Sequence, residues 1–497
     1  MGVTPTVLII TIALYFLVLY TVSYFTSKGA NTHTFFNADK KSPWLLVAIG
    51  MIGASLSGAT FLSVPGKVGA DGLNMAYSYM QVVFGYLLGY VFIAKVLLPL
   101  YYKLNLLSIY EYLEQRFGIV SYKMGALFFL LSRIIGASFR LFLMTMVLHP
   151  FVLEPLGVSF EITVIITLLL IWVYTFKGGI KTIVWTDTLQ TITMLAAVAM
   201  TVYYIANSLD ISLLDVRSEI QKAGMSKMFF FENGWADNNN FFKQFLSGAL
   251  ITIVMTGLDQ DMMQKNLTCR SLKDAQKNML VFSIILVFAN LLFLTLGAML
   301  YVFANAKGIE IPTSTDQLFP LIALNNLPSF VGVIFILGLV AAAYSSADSA
   351  LTSLTTSFCV DFLNFEKSER TEKQKFATRL KVHVAFTVVL FLGIMVLKVV
   401  NNDAVINGLL KAAGYTYGPL LGLFAFGLFT KRIIHDKWVW IVVLLSPILS
   451  ALLDNYSESL FGGLKFGFTI LAVNGLITFV GLMFLTKKGG ASTRPHN

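Results

Sequence analysis

The sequence predicts an all-α integral membrane protein of about thirteen transmembrane helices. Three observations carry that prediction. Hydrophobic residues make up 57% of the 497 residues and charged residues only 12%, about half the charge of a soluble domain. Apolar runs near the roughly 20 residues that a helical span needs recur along the whole chain. Hydrocarbon offers backbone amides no partner, so such runs must be helices unless they alternate as short barrel strands, and no such alternation occurs.

The first run, 4–26, is a helix rather than a cleaved leader, because its apolar stretch is long and no basic segment precedes it. The second, 43–66, contains GMIGASLSGATFLSVPG, where glycines alternate with hydroxyl residues and Pro65 follows. Glycine and proline weaken a helix there and free its carbonyls. Runs 73–101, 119–148, 157–175 and 185–207 follow, then a polar stretch, 208–240, predicted to lie at the surface with one short helix. Run 241–264 breaks again in SGALITIVMTGLDQ, around Thr252, Thr256 and Gly257. Runs 274–306, 328–360, 375–400 and 402–429 come next, with a charged linker at 361–375, and 436–453 and 463–486 close the chain. A small-residue packing face accounts for either break alone. Two breaks at matching places in two five-span halves, 43–207 and 241–429, point instead to an inverted-repeat transporter with a site at the midplane. The chain, 1–497, reads as one transporter domain, with 4–26 before the repeats and 436–486 after them.

The loops orient the chain. With the N-terminus outside and the C-terminus cytoplasmic, roughly 24 of the 36 basic residues fall on the cytoplasmic side, as the positive-inside rule requires. The net charge of +10 is thereby assigned to membrane topology, and no nucleic-acid partner is expected. The two cysteines and five histidines show no metal-ligand spacing, and no convergent catalytic set exists, so an enzyme is not expected.

Ionisable residues inside spans are costly and ask for a role. Arg133 and Arg140 share one helical face with Gly136, and Lys411 lies in INGLLKAAGYTYGPLLG. Such cations suit a carboxylate solute; the bland alternative is an internal ion pair, with Glu154 or Asp403. Asp187 is placed at a helix start, where an acid favours the dipole, and Asp259 and Asp261 are read as partners of Lys265. Most unusual is AAAYSSADSAL, 341–351, which puts three serines and an acid inside an apolar run.

FKGGIKTIVWTDTLQ (176–190), GLDQDMMQKNLTCRSLKDAQK (257–277) and AAAYSSADSAL resemble three signatures of the sodium/solute symporter family, in order and on the matching spans. Lys265 stands where the family usually has arginine. The likeness covers nearly the whole chain and is nearest to bacterial sodium/galactose and sodium/sialic acid symporters. It implies a LeuT-type core in spans two to eleven, with one extra helix before and two after. It also implies a sodium site made by the carbonyls of Gly53, Leu56 and Ala342 and the hydroxyls of Ser345 and Ser346. The chemistry agrees, since a hard cation takes oxygen ligands and the three- and four-residue spacing puts the last three on one face. A second sodium site, found in some relatives, would map to Asp187, Ser345, Asp348 and Ser349. Asp348 replaces a serine there, so it either strengthens a cation site, titrates, or pairs with a base. The substrate face would comprise Ser55, Ser57, Thr60, Tyr79, Gln81, Arg133, Arg140, Thr252, Met255, Thr256 and Lys411. The aromatic that a sugar carrier would place on the sixth core helix is missing.

The expectation is therefore a sodium-coupled symporter of the inner or plasma membrane. It would import a small anionic or sugar-like organic solute, such as sialic acid, a sugar acid or a monocarboxylate, with one sodium ion or two. A neutral sugar or amino acid is the alternative within the class. A cation channel or membrane sensor is the alternative outside it, but no filter ring or output domain is evident. The partners are the solute, sodium and the lipid bilayer, and a monomer suffices.

Overall fold

A computed structural model describes residues 4–69, 75–232, 234, 237, 239–365, 368–400, 405–460 and 466–491. Its spanning helices are α1 (Pro5–Thr26), α2 (Trp44–Ser55) with α3 (Gly58–Lys67), α4 (Tyr79–Phe92, running on to Lys103), α5 (Ile119–Leu148), α6 (Phe160–Thr175) and α7 (Ile180–Ser208). They continue with α8 (Phe241–Thr252) and α9 (Gln260–Leu267), α10 (Leu272–Lys307), α11 (Ser329–Ser357), α12 (Glu372–Val400), α13 (Val405–Phe429), α14 (Val439–Asn455) and α15 (Ile470–Phe484). Ten described helices are long and apolar enough to cross a bilayer, and the bent pairs α2–α3 and α8–α9 bring the number to twelve. The thirteenth expected span, α6, has only 16 residues; at 1.5 Å per residue it falls short of a 30 Å hydrocarbon core.

Both predicted breaks are present. The axis turns by 60° between α2 and α3 and by 64° between α8 and α9. The first bend is made at Leu56 (ψ 70°) and the extended Ser57. The second follows a π turn over Ile253–Gly257 and is capped by Asp259, whose carboxylate accepts the N–H groups of Asp261 (2.9 Å) and Met262 (3.2 Å).

Lipid supplies no hydrophobic drive between helices, so association rests on close fit and polar bonds. α4 packs on α8 at glycine: a Cβ on Gly85 would strike the Phe245 carbonyl, and one on Gly248 the Val82 carbonyl. α7 packs on both α2 and α11. Asn474 of α15 donates to the carbonyls of Gly414 (3.1 Å) and Tyr415 (2.9 Å) in α13, and Thr478 to Ser446 of α14 (2.7 Å). α5 and α11 are central, with 72% and 78% of their apolar windows buried, whereas α12 and α14 at 22% face lipid. A short antiparallel pair, Arg432–Ile434 with Thr486–Ala491, ties the ends of α13 and α15. The surface stretch 208–240 carries the expected short helix, Val216–Lys222.

Candidate functional site

The glycine-broken second span and the serine-rich α11 meet in the core. A Cβ on Gly53 would lie 3.2 Å from the Ser345 hydroxyl and 2.5 Å from that of Thr191, and one on Gly58 would lie 3.3 Å from Ala343. A side chain on Gly53 would collide with Thr191, and one at either glycine would crowd α11. Ser345 donates to the Ala342 carbonyl (3.1 Å) and Ser346 to that of Ala343 (3.2 Å), which leaves the hydroxyl lone pairs free for a cation. Thr191 of α7 accepts the Gly53 N–H at 2.9 Å, fixing the approach from the other side. Both serines are fully buried.

One turn further along α11 lies a set of buried charges. Asp348 accepts from the Tyr174 hydroxyl at 2.7 Å and forms no ion pair among the described residues. Asp187 accepts from Lys265 Nζ at 2.7 Å through one oxygen, while its Oδ1 has no partner among the described residues. Asp187 and Lys265 both lie within electrostatic reach of Asp348. The Ser349 hydroxyl donates to Asp261, which in turn pairs with Arg133. Asp259 accepts from the Tyr417 hydroxyl at 2.5 Å and lies 3.9 Å from Arg133.

Several sequence expectations are corrected here. Lys265 pairs with Asp187, and Asp259 and Asp261 take Arg133 instead. The reason is the 64° bend, which turns Asp259 and Asp261 toward α5 and α11. Asp187 is not at a helix start. Gly179, at φ +52°, lets α7 begin at Ile180, so Asp187 sits in its third turn. Glu154 is 3.9 Å from His149 rather than a partner of the buried arginines, and Asp403 lies outside the described residues.

Beside the cation region a cavity of about 100 Å³ opens between the two breaks. It is lined by Ser55, Ser57, Thr60, Tyr79, Arg133, Arg140, Thr252, Met255 and Thr256. Nine of the eleven expected substrate residues are thus brought together. Arg133 is neutralised by its two acids. Arg140, only 6% exposed, has no partner for Nε or Nη1 among the described residues. Tyr79, Tyr86 and Tyr90 of α4 also line the cavity, the hydroxyls of Tyr79 and Tyr86 3.0 Å apart. Seven and four residues apart, they share one helical face. The aromatic surface missing from the sixth core helix is therefore supplied by the second.

Gln81 and Lys411 do not line this cavity. Gln81 donates to the Asn239 carbonyl and accepts from the Phe230 N–H, both at 2.9 Å, and so holds the surface segment to α4. Lys411 is 57% exposed and 3.7 Å from Asp454. Sequence reasoning missed Tyr86, Tyr90, Thr191, Tyr174 and Gln190. Gln190, buried on α7 beside Tyr174, stands in the TDTLQ motif and was within reach of sequence reasoning. The tyrosines carried no signal, because Tyr is ordinary in an apolar span.

The model of the sodium:solute symporter family matches residues 35–437. A sodium/sialic acid symporter of Proteus mirabilis is 24% identical over 454 residues, covering 88% of this chain and 87% of the relative. One from Aliivibrio fischeri is 25% identical, covering 82% and 80%. The mouse sodium-coupled monocarboxylate transporter 1 is 23% identical, covering 77% of this chain and 62% of its own. The solved outward-open, substrate-bound structure of a Na+-coupled sialic acid symporter superposes with a TM-score of 0.81 at 21% identity, over 97% of this chain and 99% of that one. Mhp1, a nucleobase-cation-symport-1 transporter in a closed conformation, gives 0.50 at 17% identity, over 91% and 94%. These likenesses establish the LeuT-type fold.

Proposed function

Because the chain belongs to the sodium:solute symporter family, we propose that it couples inward sodium movement to uptake of a carboxylate-bearing organic solute. One observation carries the solute class: a buried guanidinium, Arg140, stands without partners for Nε and Nη1 on the wall of the cavity between the two helix breaks. A solute carboxylate supplies the missing acceptors, in the charge-assisted geometry that guanidinium favours. The tyrosine wall of α4 suits the C–H face of a sugar ring, so a sugar acid of the sialic acid kind satisfies both surfaces. A short monocarboxylate is the second reading, favoured by the small volume of about 100 Å³.

Sodium is held by the carbonyls of Gly53, Leu56 and Ala342 and the hydroxyls of Ser345 and Ser346. Support comes from the direct approach of Gly53 to Ser345 and from the bend that frees the α2 carbonyls. A second sodium ion occupies oxygens of Asp187, Ser345, Asp348 and Ser349. Four buried carboxylates (Asp187, Asp259, Asp261, Asp348) face three buried bases (Arg133, Arg140, Lys265), which leaves one negative charge in excess. With the first sodium ion and the solute carboxylate both bound, that one negative charge in excess remains; Asp348 is the acid without an ion pair among the described residues, so a second monovalent cation there balances the core.

Sodium and solute both bind between the bent spans and the central helices. Each therefore favours the same arrangement, and by linkage each raises the other's affinity by the same factor. Release follows rocking of one five-span repeat, 43–207, against the other, 241–429. A monomer suffices for this cycle in the cell membrane, and the basic loops favour an outside N-terminus and a cytoplasmic C-terminus. Uptake of labelled sialic acid and of lactate into proteoliposomes, with and without an inward sodium gradient, tests the proposal. Sodium-independent uptake, or sodium currents that need no solute, would overturn it.

A further inference from the structure

α4 and α10 enclose a recess of about 340 Å³ outside the transport site, at the ends that the basic loops assign to the cytoplasm. Tyr90 separates the two spaces, since it lines both the recess and the central cavity. Three exposed ammonium groups converge on the recess, Lys95 from α4 and Lys273 and Lys277 from the first turns of α10. One bond holds them together. Gln276 Nε2 donates to the Ala94 carbonyl at 2.8 Å, across 182 positions of sequence, and Ala94 lies in a π turn of α4, Ile93–Leu97. Among the described residues no carboxylate lines the recess, and none of the three lysines forms an ion pair. The acid in the first turn of α10, Asp274, is off the wall, and its charge acts on Tyr102 and Cys269. The remaining wall is largely apolar. Val91 and Leu280 are 55% and 58% exposed, so they carry the recess out onto the lipid-facing surface.

We propose that this recess binds one anionic phospholipid, with the headgroup phosphate among the three lysines and an acyl chain along Val91 and Leu280. Lys95 stands eight residues before the end of α4 at Lys103, and Lys277 five residues into α10. At 1.5 Å per residue these are roughly 12 Å and 8 Å inside the helix ends, where a lone charge is costly. Lysines that only snorkel to water have no reason to gather, because like charges repel. Lys273 and Lys277 also add charge to a helix N-terminus that is already positive. A phosphate relieves both repulsions and accepts from each ammonium. Basic pockets between spans on the cytoplasmic side suit the headgroups of acidic lipids. A free phosphate would leave the exposed apolar wall without a partner, whereas a lipid fills both halves.

Native mass spectrometry of the full-length protein in detergent, titrated with phosphatidylglycerol or phosphatidylcholine, tests this. The unmodified protein is expected to bind the anionic lipid more tightly. K95Q, K273Q and K277Q should each weaken phosphatidylglycerol about fivefold, and the triple change roughly hundredfold, with phosphatidylcholine unaffected. The single variants alter one exposed side chain each, so they read the effect even if the triple variant does not fold. K95R/K273R/K277R should keep the preference. K28Q/K431Q/K437Q, which removes the same charge from other cytoplasmic positions, should keep it too. Equal affinity for the two lipids in the unmodified protein would overturn the site. So would a preference that survives K95Q/K273Q/K277Q, or one that K28Q/K431Q/K437Q abolishes equally. Glycerol phosphate at the lipid's concentration is expected to leave phosphatidylglycerol bound. Its displacement there would overturn the lipid as occupant.

Discussion

Replacing Arg140 by glutamine is expected to act in opposite directions on stability and on transport. In the solute-free protein the guanidinium is 6% exposed, Nε and Nη1 lack partners, and the like charge of Arg133 acts on it. Buried polar groups left unsatisfied cost about 1–3 kcal/mol. Deleting the charge removes much of that cost, so R140Q should melt no lower than wild type. With roughly 2 cal/mol/K per residue, a chain of this length shifts by about 1 °C per kcal/mol, so a rise of a few degrees at most is expected. Solute binding moves the other way. Removing one partner of a buried charge pair costs about 2–5 kcal/mol, and at 1.4 kcal/mol per tenfold that is a loss of roughly thirtyfold to several thousandfold in affinity. Melting curves in sodium, with and without sialic acid or lactate, read both effects, and uptake reads the second again. An R140Q protein that melts several degrees below wild type yet keeps its solute-induced shift would refute the reasoning, because Arg140 would then be a structural cation.

Other substitutions address the cation region. S345A should raise the sodium concentration for half-maximal uptake about ten- to a hundredfold, the worth of one hydrogen-bonding oxygen on a charged group, and S345A/S346A should abolish sodium stimulation; a wild-type sodium curve in the double variant contradicts the site. G53A places a methyl 2.5 Å from the Thr191 hydroxyl and 3.2 Å from that of Ser345. It should cost about 1–3 kcal/mol as an overpacked core and weaken sodium binding, with partial relief in G53A/T191A; melting and radiosodium binding check both. K265M and D187N should each destabilise by about 3–5 kcal/mol by stranding a buried charge, and K265M/D187N by much less; additive losses in the double-mutant cycle would mean that the 2.7 Å pair is energetically idle. D348N should reduce the number of sodium ions moved per solute by one, read from the reversal potential of transport, and an unchanged ratio excludes Asp348 from a cation site.

How much was legible in advance differs from residue to residue. The lipid solvent, the helical class and both breaks follow from sequence alone, whereas the pairing of GASLSG with AAAYSSADSAL came from the resemblance to the symporter family. Lipid imposes length, apolarity and internal hydrogen bonding on every span, and these are local properties that a linear string records. Breaks are local too, because glycine and proline act on their own backbone. Charge partners are not local. Lys265 lies within six residues of both Asp259 and Asp261 and seemed theirs, yet a 64° bend delivers it to Asp187, 78 positions away. The same bend hands Asp261 to Arg133 and Ser349. Arg133 and Arg140 are indistinguishable in the sequence, two arginines on one face; only the packed structure neutralises one and leaves the other facing a cavity. Lys411 stands in an apolar run like the arginines, yet the fold leaves it 57% exposed, 3.7 Å from Asp454 of α14. Local chemistry determined where the chain bends and which oxygens it exposes. The tertiary structure alone decided which charges are spent on each other and which remain for a ligand, because Coulomb partners are chosen by distance in space.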